Sequence, residues 1–124
     1  MAASEAERLL RIARRDLRMA FRLLEPDVEE ASWGWALQQT LEKTLKAWLL
    51  HVGIQPPHSH DIARLLVLLE QADVDVSQLL PLRAFSTFAV QGRYDDEPED
   101  LGLDRLAWCQ RADTLIEHVQ SLLG

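Results

Sequence analysis

The stretch Gln38-Gln39-Thr40-Leu41-Glu42-Lys43-Thr44-Leu45-Lys46-Ala47-Trp48 decides the fold. Leu37, Leu41, Leu45, Trp48, Leu49 and Val52 recur three and four positions apart, the spacing that lines one face of an α-helix. The pattern predicts the longest helix of the chain over residues 28–52. Gly53 is a C-terminal stop, and Pro56-Pro57 commit the next residues to a loop. Gly34, between Trp33 and Trp35, weakens the first turns, so the expected start lies several residues later.

The same periodicity extends outward. Residues 4–25 read as helix, with Leu9, Leu10, Ala13, Leu17, Ala20, Phe21 and Leu24 on one face. Ser4 with Glu7 resembles a capping box, and Pro26 ends the helix at or before Glu25. A short helix is expected over residues 60–71, with Ser59 as N-cap, Asp61 in the first turn, and Ile62, Leu65, Leu66 and Leu69 inward. A further helix is expected from Ser77 to Gln91, with Leu80, Phe85 and Phe88 inward. The last runs from Asp100 or Asp104 to Leu123, its stripe including Leu106, Cys109, Ala112, Ile116 and Val119. No alternating strand pattern and no internal repeat appear. Loops this short join antiparallel neighbours. The expected architecture is all-α: a four-helix up-and-down antiparallel bundle, the short third helix an insert.

A chain of 124 residues reads as one domain, 1–124, long enough for a core without staples. The one cysteine, Cys109, excludes an internal disulfide and multi-cysteine metal sites. No signal peptide or membrane-length apolar run is evident, and the expected location is the cytoplasm. Net charge is −7, which argues against indiscriminate nucleic-acid binding. The charge is uneven, however. Arg8, Arg11, Arg15, Arg18 and Arg22 lie 3, 4, 3 and 4 apart and share a helix face. That ridge suits RNA phosphates, an acidic partner surface or the acidic residues 95–100 of another subunit, or is simply a solvated face.

The decisive stretch resembles a known family. Residues 38–47 match its QQ-x-x-EK-x-LKA signature, followed by Gly53, Pro57 and His60-Asp61-Ile62. Gly92-Arg93-Tyr94-Asp95-Asp96 resembles the family's arginine-tyrosine-proline-aspartate element, with Asp95 where proline is usual. Arg15-Asp16-Leu17 and Ala20 resemble its first-helix pattern. The family is the HEPN domain, and the resemblance covers nearly the whole chain. It implies a four-helix bundle, usually a homodimer. Many prokaryotic members form a two-component, toxin–antitoxin-like module with a minimal nucleotidyltransferase. Some branches are ribonuclease toxins; others lack nuclease residues and bind nucleotides or act as interaction modules.

The nuclease branches carry an arginine, then four to six residues, then a histidine near the start of the last helix. Histidine moves protons near neutral pH, and arginine stabilises charge on the reacting phosphate. Only Arg111 and His118 have that spacing here, deep in the last helix, with Gln120 where a tyrosine often follows. They read more readily as two solvent-facing polar residues than as a catalytic pair. The expected ligand residues are therefore Gln39, Lys43, Lys46, His60, Asp61, Arg93 and Tyr94. Lys43 and Lys46, the only lysines, either hold a phosphate with Arg93 or leave Lys46 paired with Glu42 at i, i+4. His58, His60 and Asp61 lack a fourth metal ligand and read instead as groups that satisfy helix-start N–H groups. Trp33 and Trp35 read as partly exposed, one of them at a dimer face. The expectation is a non-catalytic HEPN-type module, a homodimer and nucleotidyltransferase partner, with a nucleotide as the implied ligand and no metal or resident cofactor. The alternatives are a metal-independent ribonuclease toxin, RNA binding being less favoured, and a purely structural interaction domain.

Overall fold

A computed structural model describes residues 4–89 and 100–124. Its elements are α1 (Glu5–Phe21), α2 (Glu30–His51), α3 (Ile62–Gln71), a 3₁₀ helix (Leu80–Thr87) and α4 (Arg105–Leu123). The fold is all-α, a helical bundle with one short additional helix. Central α2 packs against α1, α3, the 3₁₀ helix and α4. One apolar core draws Leu10 and Leu17 from α1, Leu41 and Leu45 from α2, Leu65 from α3, Phe85 from the 3₁₀ helix and Ile116 from α4. Among the described residues, no helix is long and apolar enough to cross a membrane.

The local signals account for most helix ends. Ser4 Oγ accepts the Glu7 N–H at 3.1 Å, the forward half of a capping box. Asp104 caps α4 by accepting the Ala107 N–H at 3.0 Å. After α2, Gly53 takes a φ of 85°, and the Ile54 N–H reaches back to the Leu49 carbonyl at 2.9 Å, closing a Schellman turn. At α3 the expected cap is displaced. Asp61, not Ser59, is the N-cap and accepts the Ala63 N–H at 3.0 Å, while Ser59 Oγ accepts the Asp61 N–H.

Of the segment expected as an α-helix over residues 77–91, Leu80–Thr87 is 3₁₀, residues 88–89 are α-helical and residues 90–91 lie outside the described residues. Its buried residues explain the difference. Leu82, Phe85 and Phe88 are three apart and all buried. A 3₁₀ turn of three residues aligns i with i+3, whereas α-geometry would rotate them off one another. Leu80, expected inward, is therefore 37% exposed. Phe21 and Leu106, also expected inward, sit at the ends of α1 and α4 and are exposed. Helix α1 stops at Phe21 because the carbonyls that follow point elsewhere. The Arg105 guanidinium donates to the carbonyls of Leu23, Glu25 and Val28 at 2.7–2.9 Å, pinning the α1–α2 loop to α4.

Two expectations at the head of α2 are corrected. The helix begins at Glu30, so Gly34 lies inside it. Glycine is needed there for close packing: a Cβ at position 34 would lie 2.4–2.5 Å from the Phe88 ring. Trp33, expected partly exposed, is 0% exposed; Trp35 is 37% exposed. Gly34→Ala is expected to lower stability by up to about 2 kcal/mol, since overpacking costs ~1–3 kcal/mol while better helix propensity returns ~1 and the backbone-proximal ring contact puts this site at the upper end. A thermal melt unchanged or raised would show that Phe88 repacks freely.

Candidate functional site

The polar residues of the decisive stretch form one connected network. Glu42, with its side chain 5% exposed, is at the centre. Its Oε1 accepts from Gln38 Nε2 at 3.0 Å and faces His60 Nδ1 at 2.9 Å; its Oε2 accepts from Lys46 Nζ at 3.0 Å. Gln38 Nε2 also reaches the His60 carbonyl at 3.2 Å, so α2 holds the entry to α3 by two contacts. Gln38 Oε1 accepts from Gln39 Nε2 at 2.7 Å, and Gln39 Oε1 accepts from Lys43. Lys43 Nζ then lies 3.3 Å from Asp16 Oδ2 on α1, an ion-pair contact without hydrogen-bond alignment. The network thus joins α1, α2 and the loop before α3.

Burial alone would raise the Glu42 carboxyl. Hydrogen bonds from His60, Gln38 and Lys46, with the nearby Lys46 charge, outweigh that effect and hold it below the ordinary value. The result is a buried carboxylate matched by a cation and polar donors, the arrangement a low-dielectric site requires.

This geometry relocates the expected ligand residues. Gln39, Lys43 and Lys46 lie along the partly open stripe of α2, and His60 is near Lys46 because both bond Glu42. Asp61 turns away, its carboxylate occupied with the α3 N–H and, at 3.4 Å, with Ser86 Oγ. Arg93 and Tyr94 lie outside the described residues. Of the two lysine readings, the Glu42–Lys46 pair is present, and Lys43 is paired as well. An anion binding here would have to compete with Glu42 and Asp16.

Arg111 and His118 occupy a different place. They line a groove of about 550 Å³ between α4, the segment before the 3₁₀ helix, and Trp48. Arg111 donates to the Gln78 carbonyl, and its guanidinium lies 5.0 Å from the centre of the Trp108 ring. The His118 ring meets Trp48 edge-on at 5.1 Å. The arginine ridge of α1 is solvent-exposed at Arg8, Arg11, Arg15, Arg18 and Arg22, while Arg14 bonds Glu117 at 3.2 Å.

The HEPN domain model matches residues 6–124. The chain belongs to the HEPN domain family. No curated protein and no solved structure matched it. In this HEPN domain the signature glutamines, glutamate and lysines of α2 bond mainly to one another, to Asp16 and to His60. Two residues that anchor the HEPN bundle carried no sequence signal. Glu30 is buried and accepts the N–H groups of Leu101 and Leu103 at 2.7 and 3.2 Å; Arg105 pins the opposite loop. Both resemble ordinary surface charges in sequence, because their partners lie more than 70 positions away. Cys109 is buried. Burial pushes its thiol up, and the Trp33 indole N–H reaches its sulfur at 3.4 Å, so it packs as an unreactive small side chain.

Proposed function

We propose that this HEPN domain is non-catalytic and acts as a partner subunit of a minimal nucleotidyltransferase, itself a homodimer. The observation that carries the reading is the direction of Arg111. Its guanidinium lies over Trp108, one turn towards the N-terminus of α4, and donates to the Gln78 carbonyl. The two backbone positions are already about 10 Å apart by helix rise. Arg111 is thus engaged with Trp108 and Gln78, and no hydrogen bond joins it to His118 among the described residues. The exposed arginine ridge of α1 supplies a surface complementary to an acidic partner, an interaction that steers encounter and fixes register.

Total RNA incubated with the purified chain is expected to stay intact at neutral pH, and expression is expected to leave growth unaffected. Cleavage that disappears in His118→Ala would overturn the non-catalytic reading. Gene order tests the partner half: a small nucleotidyltransferase frame beside this gene, co-purifying with its product, is the expected result. A gene without such a neighbour would remove that half. The ribonuclease reading keeps one supporting observation, that Arg111 and His118 line the same groove.

A further inference from the structure

The outer face between α1 and α2 combines an apolar seam with a rim of one charge. On α1, Leu9, Ile12, Asp16 and Met19 lie three, four and three positions apart, the a/d spacing of a seam that packs on another helix. They are not the buried stripe of α1, which runs through Ala6, Leu10, Ala13, Leu17 and Ala20. Leu9, Ile12 and Asp16 are half-buried, and Met19 is 51% exposed. On α2, Gln39, Lys43, Lys46 and Leu50 repeat the alternation of three and four and are all half-buried. The Asp16–Lys43 contact at 3.3 Å fixes the register of the two antiparallel helices. Two turns from it Leu50 comes level with Leu9, and one turn the other way Gln39 comes level with Met19. The two stripes therefore line a shallow groove. Leu9, Ile12 and Leu50 make one end apolar, Met19 the other, and an ion pair lies between.

Arg8, Arg15 and Arg22 stand seven positions apart, in the g register beside this seam, and all are exposed. Arg15 lies 3.7 Å from Asp16 and still leaves 67% of its side chain open. In a chain of net charge −7, such a row makes a local field opposite in sign to the whole. Where helices pair, charges at the positions flanking the seam choose the partner and its orientation. We propose that this groove seats an acidic amphipathic helix of a partner protein, with its apolar stripe on Leu9, Ile12, Met19 and Leu50 and its carboxylates along Arg8, Arg15 and Arg22. That a partner exists rests on the partner-subunit reading above; that it presents an acidic helix here does not. The apolar seam disfavours nucleic acid, whose affinity comes from its phosphates and gains nothing from buried leucine or methionine. The arginines disfavour α1 of a second copy, because pairing the same patch with itself sets arginine against arginine. The Asp16–Lys43 pair puts a polar layer inside the apolar seam, the device that restricts register when helices dock.

The probe is a labelled synthetic peptide of four heptads, leucine at a and d and glutamate at e and g, which its own charge keeps from self-pairing. Fluorescence anisotropy with the full-length chain is expected to show binding about tenfold or more tighter than that of a peptide of the same composition in scrambled order. The double variant Arg15→Gln, Arg22→Gln and the single variant Met19→Asp are each expected to weaken binding roughly tenfold. Arg64→Gln, exposed on α3, is expected to leave it unchanged. All four side chains are exposed, so the variants keep the fold, which thermal melts check. No binding, equal binding of the scrambled peptide, or affinity unchanged in both α1 variants would overturn the proposal. So would a single-stranded RNA oligonucleotide that binds as tightly as the patterned peptide and displaces it, which would assign the arginines to nucleic acid. Patterned binding by a chain whose gene has no transferase neighbour would keep the groove and remove only that partner, so the two readings fail separately.

Discussion

Glu42→Ala is expected to lower the unfolding free energy by about 3–5 kcal/mol, the usual cost of removing one partner from a buried ion pair. The side chain is 5% exposed and takes contacts from Gln38, Lys46 and His60, so its loss leaves the largely buried Lys46 ammonium without its carboxylate and removes one bond each from Gln38 and His60. Against a total stability of ~5–15 kcal/mol for a domain, that is a large share. Chemical denaturation measures it. Replacing Glu42 and Lys46 together by leucine should cost clearly less than the two single losses added, because no charge is then left alone. Additive losses would show that the pair contributes nothing as a pair. The pH dependence has a definite sign. The folded Glu42 carboxyl titrates below its ordinary value of 4.5. Its stabilisation is therefore complete above that pH and is lost as the pH falls through the lower folded value. The alanine variant should show a flatter acid limb than the parent chain, and identical limbs would refute the assignment.

Trp33→Ala is expected to cost about 3–5 kcal/mol, the range for deleting a large buried aromatic side chain. Trp33 is fully buried and meets Phe85 at 5.8 Å and Phe88 at 6.4 Å, both edge-on. It also donates to Cys109 Sγ, and the Arg105 guanidinium lies 6.0 Å from its ring centre. Its removal opens a cavity where α2, the 3₁₀ helix and α4 meet. Trp35→Ala, two residues on and partly exposed, should cost much less. Equal losses at the two positions would mean that Trp33 is not the structural anchor described here. The measurement also separates core from surface in a Trp-Gly-Trp triplet whose sequence treats both rings alike.

The difference between those two tryptophans shows where sequence reasoning runs out. Helix periodicity placed Leu41, Leu45 and Trp48 correctly, because their burial follows from one stripe facing one core. It could not rank Trp33 against Trp35, because α2 is surrounded by four other elements and buries more than one stripe. Gly34 misled for a related reason. Its intrinsic cost to a helix is visible in sequence, but the Phe88 ring that demands it lies 54 positions away. The candidate site divides in the same way. The i, i+4 pairing of Glu42 with Lys46 was legible as one of two readings. The pairing of Lys43 with Asp16, and of Glu42 with His60, was not, since each depends on how separate elements come together.

The amino-acid sequence by itself determined the four α-helices, the cap at Ser4, the stop at Gly53 and membership of the HEPN family. These depend on interactions within a turn or two of the chain, or on an order of residue types, and both are written along one dimension. Only the tertiary structure decided that the polar face of α2 is tied up in a network with α1 and His60. It also decided that residues 80–87 wind as 3₁₀, and that Arg111 lies over Trp108 and bonds the Gln78 carbonyl. Each of those outcomes is a choice of partner among groups distant in sequence. Packing makes that choice, because a buried charge or ring is stable only beside the neighbour that satisfies it.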